Sequence, residues 1–187
     1  MNLVIEMKRC KWAYSDILVK YHDEIWGKEE HTEKQLFKML ILEGLQAGLS
    51  WEIVLKKEEA YKEAIDDFDY YKIALYDEEK IEDLLQDSRL IRNRRKMNAL
   101  VKNAQAFIKV QKEYKSFDEY IWSFVDYKQV KHHYTDEKDI PASDDLSTKI
   151  SKDLKKKGFT FVGPKIIYSY LQAIGIYNDH VIDCDFY

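Results

Sequence analysis

Helical periodicity with almost nothing to interrupt it is the strongest constraint this sequence places on its fold. In KQLFKMLILEGLQ, the residues Leu36, Met39, Leu40 and Glu43 fall along one side of a helix. EKIEDLLQ, MNALVKNAQAFIKVQKEY and FDEYIWSFV continue in the same way, joined by short polar links. The only prolines are Pro141 and Pro164, so few helices meet a residue that lacks a backbone donor and clashes with the preceding turn. No strand-type alternation lasts long enough to predict a sheet, and there is no internal repeat or low-complexity linker. VKHHYTDEKDIPASDD reads as the long loop, with Ser143 or Asp144 suited to cap the helix that follows. The expected class is all-α.

A chain of 187 residues is expected to form one domain, and one of that size buries roughly 70% of its unfolded surface. No apolar run approaches the ~18 residues of a membrane span, and MNLVIEMKRC lacks the apolar stretch and cleavage site of a secretory signal. A soluble, intracellular protein is therefore expected. In that compartment the two cysteines are free, metal-bound or catalytic rather than disulfide-bonded. With 14 tyrosines and four tryptophans, the aromatic content suits a stacking pocket as well as a core, and core packing covers most of it.

A formal net charge of −4 argues weakly against nucleic acid, but the charge is uneven. RLIRNRRKMNALVK holds Arg89, Arg92, Arg94, Arg95, Lys96 and Lys102 with no acid. TKISKDLKKKGFTFVGPK carries Lys149, Lys152, Lys155, Lys156, Lys157 and Lys165 against Asp153 alone. Either run by itself is equally a solvated face. Two of them, with a glycine turn among the lysines, point toward phosphate binding.

The cysteines stand near opposite ends of the sequence. Cys184 follows His180 by four residues, and near the start RCKWAYSDILVKYHDEIWG holds Cys10 and His22. Cys10, His22, His180 and Cys184 would make a closed tetrahedral set of the structural zinc type, with no open position for a reacting water. By spacing alone, free thiols and ordinary histidines explain the same residues.

RCKW, YHDEIWG, LEGLQAGLSW, LIRNRRKM, SFDEYIWSFV, KKKGFTFVGPKIIYSYLQAIG and NDHVIDC, in this order from Cys10 to Cys184, resemble the bacterial 3-methyladenine DNA glycosylase I family. The resemblance implies a helix-hairpin-helix DNA glycosylase-like fold, one domain over residues 1–187, with residues 1–30 and 176–187 clasped by one structural zinc. The ligands it implies are Cys10, His22, His180 and Cys184, while His31, His132 and His133 match none. It implies Glu43 for base recognition, Tyr21 as a hydrogen-bonding partner, and Trp51 and Trp12 as aromatic pocket walls. Gly158, Gly163 and Lys165 would form the hairpin that grips DNA, with Arg92, Arg94 and Arg95 as a basic patch beside it. The partner implied is double-stranded DNA carrying alkylated bases, acted on by a cytoplasmic, nucleoid-associated monomer with no membrane or protein partner.

The residues suit that chemistry. Methylation at N3 leaves adenine cationic and a good leaving group, so recognition matters more than acid catalysis. The base must leave the stack at a cost of a few kcal/mol, and aromatic faces hold a cation with ~1 kcal/mol or more each when water is excluded. Glu43 lies in a long apolar run, where a carboxylate must be paired, hydrogen-bonded or protonated; at a helix end beside Gly44 it would instead stay solvated. Gly158 and Gly163 allow tight turns, and Pro164 fits the first turn of a helix whose free N–H groups suit a phosphate.

One departure concerns the pocket rim. YHDEIWG places Ile25 where the family commonly has an acid, and DILVKY is one residue shorter than in some members. Asp179 and Asp183 flank the zinc ligands and take no catalytic role. No lysine matches a Schiff-base nucleophile, so hydrolysis without strand cleavage is expected. A non-catalytic binder of damaged DNA is the alternative, and a helical protein-interaction module a third.

Overall fold

The computed structural model describes residues 7–187, and residues 1–6 of the expected N-terminal clasp lie outside them. Among the described residues the chain forms α1 (Asp16–Glu24), α2 (Glu33–Gln46), α3 (Trp51–Ala64), α4 (Tyr70–Ile73), α5 (Glu78–Gln86), α6 (Arg94–Tyr114) and α7 (Phe117–Trp122). After a two-residue strand β1 (Val130–Lys131) come α8 (Asp145–Lys156), α9 (Pro164–Ala173) and a second short strand β2 (Tyr177–Asn178). No helix is long and apolar enough to cross a membrane among these residues.

Local signals account for most helix starts. Ser50, Asp77, Asn93 and Ser116 each accept a hydrogen bond from the backbone N–H three residues on, which satisfies a donor the helix leaves free. Asp144, one of the two expected caps, begins α8 in a reciprocal pair with Ser147, at 2.7 and 2.9 Å.

The central helix is α2. Leu36, Phe37, Leu40 and Leu42 are fully enclosed, and α2 packs against α3, α6, α7 and α9. A helix covered on so many sides is apolar over most of its surface, which is why its buried carboxylate at Glu43 stands out.

The expectation of no sheet needs correction. β1 and β2 pair in parallel, Val130 beside Tyr177 and Lys131 beside Asn178. Two residues are too few for alternation to show in sequence. This pairing carries the chain end toward the beginning, where Asp185 N–H donates to Lys8 C=O at 2.9 Å. Gly175 lets that happen: its φ is +71°, and a Cβ there would stand 2.1 Å from the carbonyl of Lys28.

Candidate active site and metal centre

Both cysteines are buried, as are His22 and His180. The four ligand atoms lie within 4.8 Å of one another. Cys184 Sγ is 3.5 Å from His22 Nε2 and 3.4 Å from His180 Nδ1, and Cys10 Sγ is 3.8 Å from His180 Nδ1. A tetrahedral zinc with ordinary bond lengths sets a sulfur–nitrogen edge of about 3.6 Å, so the set fits that ion.

The histidine tautomers agree. His22 Nδ1 donates to Asp23 at 2.8 Å, and His180 Nε2 donates to the Trp26 carbonyl at 3.0 Å, which leaves Nε2 and Nδ1 respectively with their lone pairs toward the cluster. Arg9 in turn donates to both carboxylate oxygens of Asp23, each at 2.9 Å. Burial pushes His180 down to about 4, so its ring is neutral, and pushes the Cys10 thiol up to about 12. A divalent cation held there would supply the positive charge that offsets buried thiolate ligands.

Beside this centre opens a cavity of about 390 Å³. The indoles of Trp12, Trp26 and Trp51 and the phenol of Tyr21 form its aromatic walls. Trp12 meets Trp26 edge-on with centroids 4.9 Å apart, and Tyr21 meets Trp51 likewise at 5.1 Å. Trp26 also packs against His180 at 4.6 Å. Aromatic wall and metal ligands therefore belong to one packed unit, with Trp12 two residues after Cys10.

Glu43 reaches this cavity from α2 and is 2% exposed. Its Oε2 has no hydrogen-bond partner, nor has the indole N–H of Trp51. Burial pushes the carboxyl up to about 8, and burial together with Glu43 pushes the Tyr21 hydroxyl well above its ordinary range. Two unsatisfied polar groups in one aromatic cavity, each costly when left unmet, describe a site shaped for a ligand with matching donors and acceptors.

Gln46, Ser169, Gln172, Trp26, Glu137 and Ile140 also line the cavity and were not singled out from sequence. Gln46 follows Glu43 by three residues, one turn along α2, which is the signal that would have found it. Ser169 and Gln172 share a face of α9. Gln172 donates to Asp179 at 2.7 Å, and Asp179 also accepts from Tyr168 at 2.8 Å and from His132 at 2.6 Å. Asp179 is thus fully occupied as a buried acceptor.

A groove of about 670 Å³ continues from the cavity, sharing Glu43, Gln46 and Ser169 with it and running past Gly48 and Leu49 to Gly163, Pro164 and Lys165. The chain turns between α8 and α9 there. Gly158 has φ +98° and needs glycine, whereas Gly163 has φ −63° and open space around a notional Cβ. The expectation that both glycines serve turn geometry is corrected: Gly163 is free of that demand.

The basic run after Arg89 is also revised. Arg89 pairs with Asp87 and Glu63, and Arg94 with Glu78 and Glu82. Lys96 is buried. Arg92 and Arg95 are exposed with no carboxylate partner among the described residues, and Arg95 shares a polar cleft with Lys102 and Thr160 next to the turn.

An all-α chain with two helices joined by a glycine turn, an aromatic pocket bearing a carboxylate and a two-cysteine, two-histidine clasp defines the helix-hairpin-helix glycosylase class. The family described as Methyladenine glycosylase matches residues 12–187. The chain belongs to that family. It is 45% identical over 179 residues to DNA-3-methyladenine glycosylase 1 of Escherichia coli (strain K12), covering 95% of this chain and 96% of that one. A crystal structure of a 3-methyladenine DNA glycosylase I variant in complex with 3-methyladenine superposes with a TM-score of 0.93 at 38% identity, over 96% of this chain and 97% of that chain. The enzyme from Staphylococcus aureus also gives 0.93, at 39% identity and 96% coverage of both chains.

Proposed function

We infer that this protein is a monofunctional DNA glycosylase that turns an alkylated adenine out of the duplex and hydrolyses its glycosidic bond, releasing 3-methyladenine. The observation that carries this reading is the unpartnered Glu43 carboxyl in an aromatic cavity. The relatives support the substrate: the Escherichia coli protein bears the name of that activity, and one solved relative holds 3-methyladenine.

Burial favours the neutral form of Glu43 below about 8. A cationic base restores the balance, because its charge favours the carboxylate and its exocyclic amine supplies the donor that Oε2 lacks. Trp51, Trp12 and Tyr21 hold the ring by face and edge contacts. The C1′–N9 bond breaks with its electron pair going to the base, which leaves neutral. A water oxygen bonds to C1′ and its proton passes to solvent. Among the described residues no lysine lines the cavity, in keeping with hydrolysis rather than strand cleavage.

DNA lies along the groove, with phosphates at the free N–H groups opening α9 and at Lys165, and further along at Arg92 and Arg95. Zinc, held by Cys10, His22, His180 and Cys184, supplies a cross-link between distant segments and takes no part in the reaction. The protein acts as a monomeric single domain in the bacterial cytoplasm.

Chromatography of bases freed from methylated DNA tests the reading. The expected result is release of 3-methyladenine with 7-methylguanine retained, reduced at least tenfold in Glu43→Gln, for about 1.4 kcal/mol or more of lost transition-state stabilisation. Binding of the DNA without any release would make the protein a damage sensor instead.

A further inference from the structure

The cavity holds a second carboxylate. Glu137 stands in the single helical turn Glu137–Asp139 that interrupts the connection between β1 and α8, and it lines the same cavity as Glu43. Among the described residues no lysine or arginine side chain lines that cavity. Two carboxylates and three indoles, without a cation among them, make a site with one electrostatic sign.

The two carboxylates differ in setting. Glu43 is sealed in, and burial pushes it up to about 8, so its charge is suppressed until a ligand arrives. Glu137 is only half-buried and reaches water. Its Oε1 accepts the backbone N–H of Lys11, between the zinc ligand Cys10 and the pocket wall Trp12. The carboxylate is therefore tied to the cavity rim by the N-terminal segment rather than left to sweep through solvent.

We propose that Glu137 is a specificity-determining residue of the base pocket, favouring positively charged bases over neutral bases of the same shape. The inference rests on the base-excision reading above and adds a second residue to it. Glu43 meets the donors of the base by direct hydrogen bonding; Glu137 acts through charge, lowering the free energy of any cation in the cavity. A charge pair partly open to water changes affinity up to about fivefold. A neutral ring gains nothing from it.

The test compares two ligands at one alkaline pH by tryptophan fluorescence: 3,9-dimethyladeninium, a permanent cation, and free 3-methyladenine, neutral under those conditions. Glu137→Gln keeps an acceptor for the Lys11 N–H while removing the charge. It should weaken the cation about fivefold and leave the neutral base within about twofold. Glu137→Lys should roughly double the logarithm of the loss for the cation. Equal losses for both ligands would reduce Glu137 to a positioning role and overturn the proposal, as would no change in either. If the unaltered protein binds neither ligand and frees no 3-methyladenine from methylated DNA, the base-excision reading itself fails, an outcome separate from any effect of the variants.

Discussion

The Lys96 ammonium donates to the carbonyl oxygens of Leu45 and Ala47, 2.7 Å from each. These carbonyls lie at the end of α2, just beyond Glu43, where a helix leaves acceptors unpaired and welcomes a positive charge. Lys96 thus holds the end of α2, where the base cavity runs on into the groove. Replacing it by Met keeps the volume but strands both carbonyls. At ~1.5 kcal/mol or more for each hydrogen bond to a charged group, Lys96→Met should cost about 3 kcal/mol and lower the midpoint by roughly 10 °C. Thermal unfolding checks this, and base release should fall in parallel.

Glu43 makes stability depend on pH. Its folded-state value, about 8, lies above the ordinary 4.5, so the folded protein holds that proton more tightly than the unfolded chain. The contribution is full below about 4.5 and is lost as pH rises toward 8. Glu43→Gln has no proton to lose. The variant should gain on the unaltered protein by about 1.4 kcal/mol per unit between pH 6 and pH 8, while being the poorer enzyme. Denaturant unfolding at several pH values would show a flat difference if the carboxyl were ordinary.

The metal prediction concerns both fold and pocket. Elemental analysis should find about one zinc per chain, and a strong chelator should lower the midpoint by more than ~10 °C, since structural zinc contributes several kcal/mol to folding. Because Trp12 follows Cys10 so closely, tryptophan fluorescence should change as zinc leaves, before global unfolding. Cys184→Ser should reproduce both effects.

The hairpin glycines should separate cleanly. Gly158→Ala forces a side chain into φ +98° and should cost on the order of 1 to 2 kcal/mol of stability. Gly163→Ala meets no atoms and no positive φ, so the midpoint should hold within about 1 °C, as for a surface change near 0.5 kcal/mol or less. Its cost should appear in DNA affinity instead. Affinity for duplex DNA equal to that of the unaltered protein in Gly163→Ala would remove the phosphate role assigned to this turn.

Periodicity made the helices readable, because α2 and α6 must show an apolar face whatever surrounds them. The four zinc-type residues were readable as a set, since two cysteines left little choice of partners, though only proximity across the fold distinguishes a cluster from four isolated side chains. Glu137, Ser169 and Gln172 were hidden because each looks like an ordinary polar residue until folding turns it inward. Arg94 and Lys96 misled for the converse reason. Adjacent in sequence to exposed cations, they are claimed by Glu78, Glu82 and the end of α2, partners that no local pattern reveals.

The closing of the clasp has a consequence for the order in which the site is made. His22 and Cys184 are separated by 162 positions, and a ribosome delivers them in that order. While the chain is still being synthesised, Cys10 and His22 wait with half a coordination shell, and the wall at Trp26 lacks His180, against which it packs. Nearly every helix can form before that moment. The metal ligand set is complete only once Cys184 is made, so the unit that joins cluster and aromatic wall closes after its first half has long been in place.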